Sequence, residues 1–140
     1  MHKKIILKLS GQFLQDNNNV VDIVKVEKLA NQIKNFIKQN IKVAIVIGAG
    51  NIIRGRNIDK EKYPSTSPDY AGMLGSVING LILNMVLQKK EVKSQVQSFF
   101  DIDQVVNIYN PPETRKLFES GEVVILGGGV VGENAAIIAT

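Results

Sequence analysis

Three short stretches of this sequence carry residue types suited to binding phosphate. The first is Lys8-Leu9-Ser10-Gly11. A lysine beside a glycine-containing turn can place an ammonium among phosphate oxygens, while backbone N–H groups and a serine hydroxyl bind them. The same residues also suit an edge-strand lysine and a tight turn. The second stretch is Gly48-Ala49-Gly50-Asn51, followed by Arg54. Small residues let the backbone approach a ligand closely, the amides of such a turn form a concavity for anions, and a guanidinium fork suits a phosphoryl group. Neither the dinucleotide fingerprint nor the P-loop spacing is met. The plain alternative is a chain reversal with a surface arginine. The third is Gly127-Gly128-Gly129. Asp69 opens an apolar run, where an N-cap is the default role for aspartate and a contact to ribose hydroxyls is the alternative.

The elements that position these residues follow from periodicity. Lys4 to Leu9 is β-prone, and Asp16 to Asn19 is a polar turn cluster. Val26, Leu29, Ala30, Ile33, Phe36 and Ile37 lie at helical spacing within 22–40, with Asp22 as N-cap and Asn40 closing the helix. Lys42 to Ile47 is a near-continuous apolar strand of the buried parallel kind. Asn57 to Pro68 is aperiodic and reads as a loop or lid, and Asp69 to Gln88 is a helix apolar on nearly all sides. A strand at Ser94 to Phe99, a helix at Glu113 to Ser120 ended by Gly121, and a strand at Glu122 to Leu126 complete the pattern. This alternation predicts an α/β fold with a mainly parallel sheet. Ligands gather at the C-terminal strand ends of such sheets, where the glycine turns at 10–11, 48–50 and 127–129 fall.

Composition narrows the function classes. A chain of 140 residues with 44% hydrophobic content is one domain's worth of ordinary globular sequence. No uninterrupted apolar run reaches membrane-spanning length, and the apolar stretch near the N-terminus is too short for a signal peptide. With no cysteine and one histidine, His2, thiolate metal sites and His-based triads are excluded, and a cytoplasmic location is expected. The net charge of +4 and pI of 9.3 invite a nucleic-acid reading. Yet the lysines alternate with Glu, Asn and Gln, and only 6% of residues are aromatic, so neither nucleic acid nor membrane is the expected partner.

Taken in order, Lys8 to Gly11, Val46 to Gly55, Asp69 to Leu81, Gln95 to Ser98 and Gly121 to Gly129 resemble the bacterial uridylate (UMP) kinases of the amino-acid-kinase superfamily. The Asp69–Leu81 block is the most specific of these. The resemblance implies a three-layer α/β/α sandwich, present here as the N-terminal, phosphate- and UMP-binding half, with the ATP-base half absent. It implies transfer of phosphate from ATP, with Mg²⁺ in the substrate complex, to UMP. Lys8, Leu9, Ser10, Gly11, Gly50 and Arg54 would meet ATP, with Lys8 and Arg54 acting on the transferred charge. Ala49 and Asp69 would meet UMP. A homo-oligomer, hexameric in the family, is implied, and the absence of half the fold implies exposed apolar surface. The alternative is a non-catalytic remnant or split subunit that binds UMP or assembles with other chains. Three departures stand out: Gln12 where the family has Glu, Ala49 within an otherwise all-glycine turn, and Gly129 to Ala136 without the family's Thr-Thr-Asp segment.

Overall fold

The structure is a computed structural model that describes residues 3–53, 59, 61–63 and 66–129, with only the backbone course for 66–69. Five strands form one sheet: β1 (Lys4–Leu9), β2 (Lys42–Ile47), β3 (Ser94–Ser98), β4 (Asn107–Ile108) and β5 (Val123–Gly127), in the order β1-β2-β5-β3-β4. Every adjacent pair is parallel. The helices are α1 (Ile23–Lys38), α2 (Thr66–Lys89) and α3 (Pro111–Glu119).

Right-handed crossovers fix the layers. From β1 through α1 to β2, and from β2 through α2 to β3, the chain advances across the sheet in one direction, so both helices cover the same face. From β4 through α3 to β5 it steps back, which puts α3 on the other face. Accordingly α1 and α2 touch each other, whereas α3 contacts β2 and β5. The core lies mainly on the α1/α2 side, where Val26, Leu29, Ala30 and Ile33 meet Val43, Ile45, Ile47, Leu83, Leu87 and Ile125. The central strands β2 and β5 are buried along nearly their whole length, as their unbroken apolar runs require. The edge strand β1 carries exposed Lys4 and Lys8. An edge lysine discourages pairing with another sheet.

Local chemistry accounts for the helix ends. The Asp22 carboxylate accepts the Val24 N–H at the start of α1, and Asn40, with φ 61°, closes it in the left-handed region. Helix α3 starts at Pro111 rather than Glu113, because proline suits a first turn and the Asn110 side chain caps the Glu113 N–H. Gly121, at φ 92°, ends it. Helix α2 begins at Thr66 rather than Asp69, so Asp69 lies inside the first turn and is not the N-cap. The end of the expected loop at Asn57–Pro68 is therefore helical. Asn57, Ile58, Lys60, Pro64 and Ser65 lie outside the described residues.

Two elements escaped the periodicity: a 3-10 turn at Gly11–Leu14 and the two-residue strand β4. Helix α2 is packed on several sides, as its all-round apolar sequence predicts. Its Tyr70–Lys89 portion is long and apolar enough to cross a membrane. It packs on β2, β3, β5 and α1 and buries the polar Ser76 and Asn79, as a core helix does.

Candidate functional site

Because β1, β2 and β5 are neighbours and parallel, their C-terminal ends bring the three glycine turns side by side. The register is level: Leu9 pairs with Ile47, and Val46 with Leu126. The Gly48 N–H donates to the Leu9 carbonyl at 2.9 Å, which extends the β1–β2 ladder into the second turn.

At the first turn, alternation along β1 sends Ile5, Leu7 and Leu9 into the α1/α2 core and Lys4 and Lys8 toward the α3 face. Lys4 reaches Glu119 of α3 at 2.6 Å. Lys8 is exposed at the end of the strand, beside the turns. Leu9 packs its side chain against the core, so it offers the cleft no side-chain group. Ser10 Oγ accepts the Gln12 N–H at 3.3 Å. Gly11 is buried, and a Cβ there would run into the Asn51 side chain and sit 2.6 Å from the Gly50 nitrogen. Only glycine lets the first turn lie against the second.

The second turn is compact. The Ala49 carbonyl accepts both the Ile52 and Ile53 N–H groups, at 2.9 and 3.0 Å. Ala49 is only 8% exposed and is not among the residues with positive φ. Its methyl points at α2, where a Cβ added to Gly75 would come within 2.9 Å of it. The alanine is thus accommodated by a glycine on the helix behind the turn. Gly50 is half-buried. Arg54 lies outside the described residues, as does Val130–Ala136, and the side chain of Asp69 does too. The structure therefore brings Lys8, Leu9, Ser10, Gly11, Ala49 and Gly50 to one edge, and it places the backbone of Asp69 in the first turn of α2.

At the third turn Gly128 has φ 81°, and a Cβ there would lie 2.6 Å from Ser98 Oγ and 2.8 Å from the Phe100 ring. Its N–H donates to Ser76 Oγ at 2.7 Å. Sequence reasoning assigned no role to Ser76 or Asn79. Their signal is that they are polar positions inside an otherwise apolar helix, and both are buried.

Among the described residues, the cation at this edge is Lys8 at the end of β1. A cleft of about 590 Å³ follows β3 and carries Asp101, Asp103 and Glu113. A hydrogen bond in which the protonated Asp101 carboxyl is the donor to Asp103, together with the Asp103 charge, raises the Asp101 carboxyl above the usual range. Lys116 lines the same cleft, so its charge is mixed. Among the described residues no group of three or more acidic or histidine side chains could hold a metal ion.

A family profile described as the amino acid kinase family matches residues 3–139. The chain is 41% identical over 133 residues to a uridylate kinase of Mycoplasmopsis pulmonis, covering 92% of this chain and 54% of that one. With a uridylate kinase of Mycoplasmopsis synoviae the identity is 38%, over 91% of this chain and 55% of the relative. Among solved structures, the UMP kinase from Ureaplasma parvum superposes with a TM-score of 0.91 at 31% identity, over 99% of this chain and 64% of that one. The UMP kinase from Bacillus anthracis gives 0.85 at 33%, over 91% and 53%. The chain thus spans about half the length of the curated relatives it matches. Parallel topology, three adjoining glycine turns and a sequence match along nearly the whole chain agree: the chain belongs to the amino acid kinase family.

Proposed function

We propose that this chain is the phosphate- and UMP-binding half of a nucleoside monophosphate kinase that converts UMP and ATP to UDP and ADP in pyrimidine nucleotide synthesis. The observation that carries this reading is the placement of three glycine turns and Lys8 at one edge of the sheet. An oxygen of the UMP phosphate attacks the γ-phosphorus of ATP. The bond from that phosphorus to the β–γ bridging oxygen breaks, and ADP leaves. Such a transfer needs positioning and charge stabilisation more than covalent chemistry from the protein. ATP enters with Mg²⁺ as the substrate complex. Lys8 and Arg54 stabilise charge on the transferred group, Ser10, Gly11 and Gly50 line the ATP phosphates, and Ala49 and Asp69 hold UMP. A cytoplasmic location accompanies this role.

Calorimetry of the chain with UMP tests the binding half of the proposal, and a coupled ADP-release assay with UMP, CMP and ATP tests turnover. No heat with UMP would refute the reading. Binding without turnover would mark a chain that holds UMP but needs the remaining half of the fold to react.

Self-association belongs to the same proposal. One face of α2 is core, and the opposite face leaves Tyr70, Leu74, Ile78 and Met85 between 46% and 61% exposed. These residues fall on one stripe at helical spacing, a surface that a second copy of the chain would cover. Sedimentation at micromolar concentration should show an oligomer, and a well-behaved monomer would refute the interface.

A further inference from the structure

The polar groups buried along α2 form a network that the transfer chemistry does not itself use. Asn79 is fully buried. Its Nδ2 donates to the Gly48 carbonyl and to Asn51 Oδ1, each at 2.8 Å. Asn51 Nδ2 in turn donates to Asn79 Oδ1 at 3.2 Å and to the Val20 carbonyl at 2.9 Å. One helical turn earlier, Ser76 donates to the Met73 carbonyl at 2.6 Å and accepts the Gly128 N–H at 2.7 Å. Gly11 is packed against the Asn51 side chain. All three glycine turns are thereby tied to Asn51 or to α2.

We propose that Asn51, Asn79 and Ser76 are positioning residues that decide which backbone amides of the glycine turns face the phosphates. The proposal rests on the phosphate-binding reading above. In a trans peptide the C=O and the following N–H point in opposite directions. Asn79 draws the Gly48 carbonyl toward α2, so the Ala49 N–H is turned away from the helix, into the cleft. At the third turn the arrangement is reversed. Ser76 takes the Gly128 N–H, and the Gly127 carbonyl on the far side of that peptide accepts the Phe99 N–H at 3.2 Å. The first amide is presented to ligand and the second is withheld.

Glycine turns cannot set this choice themselves, since they lack side chains and sample a wide range of φ and ψ. Preorganised donors are effective because nothing has to reorient when charge arrives. A buried asparagine is tolerated only with its hydrogen bonds made, and both amide hydrogens of Asn79 are used. An apolar residue at 79 would fill the space but could not select the orientation of a peptide plane.

The test combines hydrogen exchange and UMP calorimetry on the whole chain. In Asn79→Leu, the Gly48, Ile52 and Ile53 amides, bonded to the Leu9 and Ala49 carbonyls, should exchange about tenfold faster, the scale of one lost hydrogen bond. UMP affinity should fall by a similar factor, while exchange in α1 and β3 stays unchanged. Ser76→Ala should speed Gly128 and leave 48–53 alone. If Asn79→Leu does not fold, Asn51→Ala removes the same pairing from a less buried position. Unchanged exchange at the turns, or a rise spread evenly over the whole sheet, overturns the proposal. Failure of the unsubstituted chain to bind UMP is a separate result, seen before any variant is made, and it overturns the functional reading instead.

Discussion

The contact between Ala49 and Gly75 yields a prediction whose sign depends on its partner. Gly75 lies within α2, where alanine in place of glycine ordinarily stabilises a helix by about 1 kcal/mol. Here the new Cβ would sit 2.9 Å from the Ala49 Cβ, whereas carbon atoms rest at about 3.5–4.0 Å. Neither methyl can rotate away, so the turn or the helix must shift by roughly 0.6–1.1 Å, the difference between those separations. Overpacking of this kind costs about 1–3 kcal/mol. The net effect of Gly75→Ala is then a loss of about 0–2 kcal/mol, the helix gain being subtracted. With Ala49→Gly already present, the nearest atoms are Ile52 carbons at 3.6 Å, an ordinary contact. The same substitution should then stabilise the chain by up to about 1 kcal/mol. Urea denaturation of the parent, the two single variants and the double variant measures the coupling as a double-mutant cycle. The expected coupling is about 1–3 kcal/mol. UMP calorimetry on the same four proteins should show weaker binding in Gly75→Ala and recovery in the double variant, because the strain falls on the turn. An equal loss of stability from Gly75→Ala in both backgrounds would refute the packing argument.

Three further outcomes follow from the site and its surroundings. Lys8→Met, in an enzyme completed with the remaining half of the fold, should lower turnover by roughly 10²–10³-fold with little change in stability, since Lys8 is exposed and is proposed to act on charge in the transition state; full turnover in that variant would remove Lys8 from the chemistry. Asp69→Asn should raise the UMP Michaelis constant more than it lowers turnover, since a ribose contact acts in ground and transition states alike; in the present chain the readout is UMP affinity by calorimetry, and an unchanged value would free Asp69 of that role. Glu119 is held below the usual glutamate value of 4.5 first by Lys4 and then by Lys42, so its contribution is complete above that value and is lost as pH falls through the depressed one; the small stability deficit of Glu119→Gln at pH 7 should vanish in acid and shrink in salt, and a deficit that grew as pH fell would contradict the sign.

Much of the fold was legible because its determinants are local. The apolar run at Lys42–Ile47 has the length and composition of a doubly covered strand, and β2 matches it residue for residue. Asp22 and Asn40 marked the ends of α1 because capping depends on the side chain and backbone angle at one position. The 3-10 turn and β4 were not legible. Two residues of strand carry no alternation, and β4 exists only through pairing with Gln97 and Ser98. The start of α2 was misplaced because aspartate reads as a cap wherever it precedes an apolar run, while the helix in fact begins three residues earlier, at Thr66.

The site shows the same division. That glycine turns and a lysine would collect at one edge followed from parallel pairing, which the alternating pattern implies. What holds those turns did not follow, because Asn79 and Gly48 are distant in sequence and nothing local to either marks the other. The departure at Ala49 shows the consequence. Judged along the chain, an alanine among glycines threatens the ligand side of the turn. In three dimensions its methyl is directed at Gly75, away from the side where the Ala49 N–H emerges. A substitution that looks like a change to the binding surface is a packing change between a turn and the helix behind it. The residue whose size it constrains is therefore Gly75, and this turn accommodates alanine at 49 without a shift only while position 75 remains without a side chain.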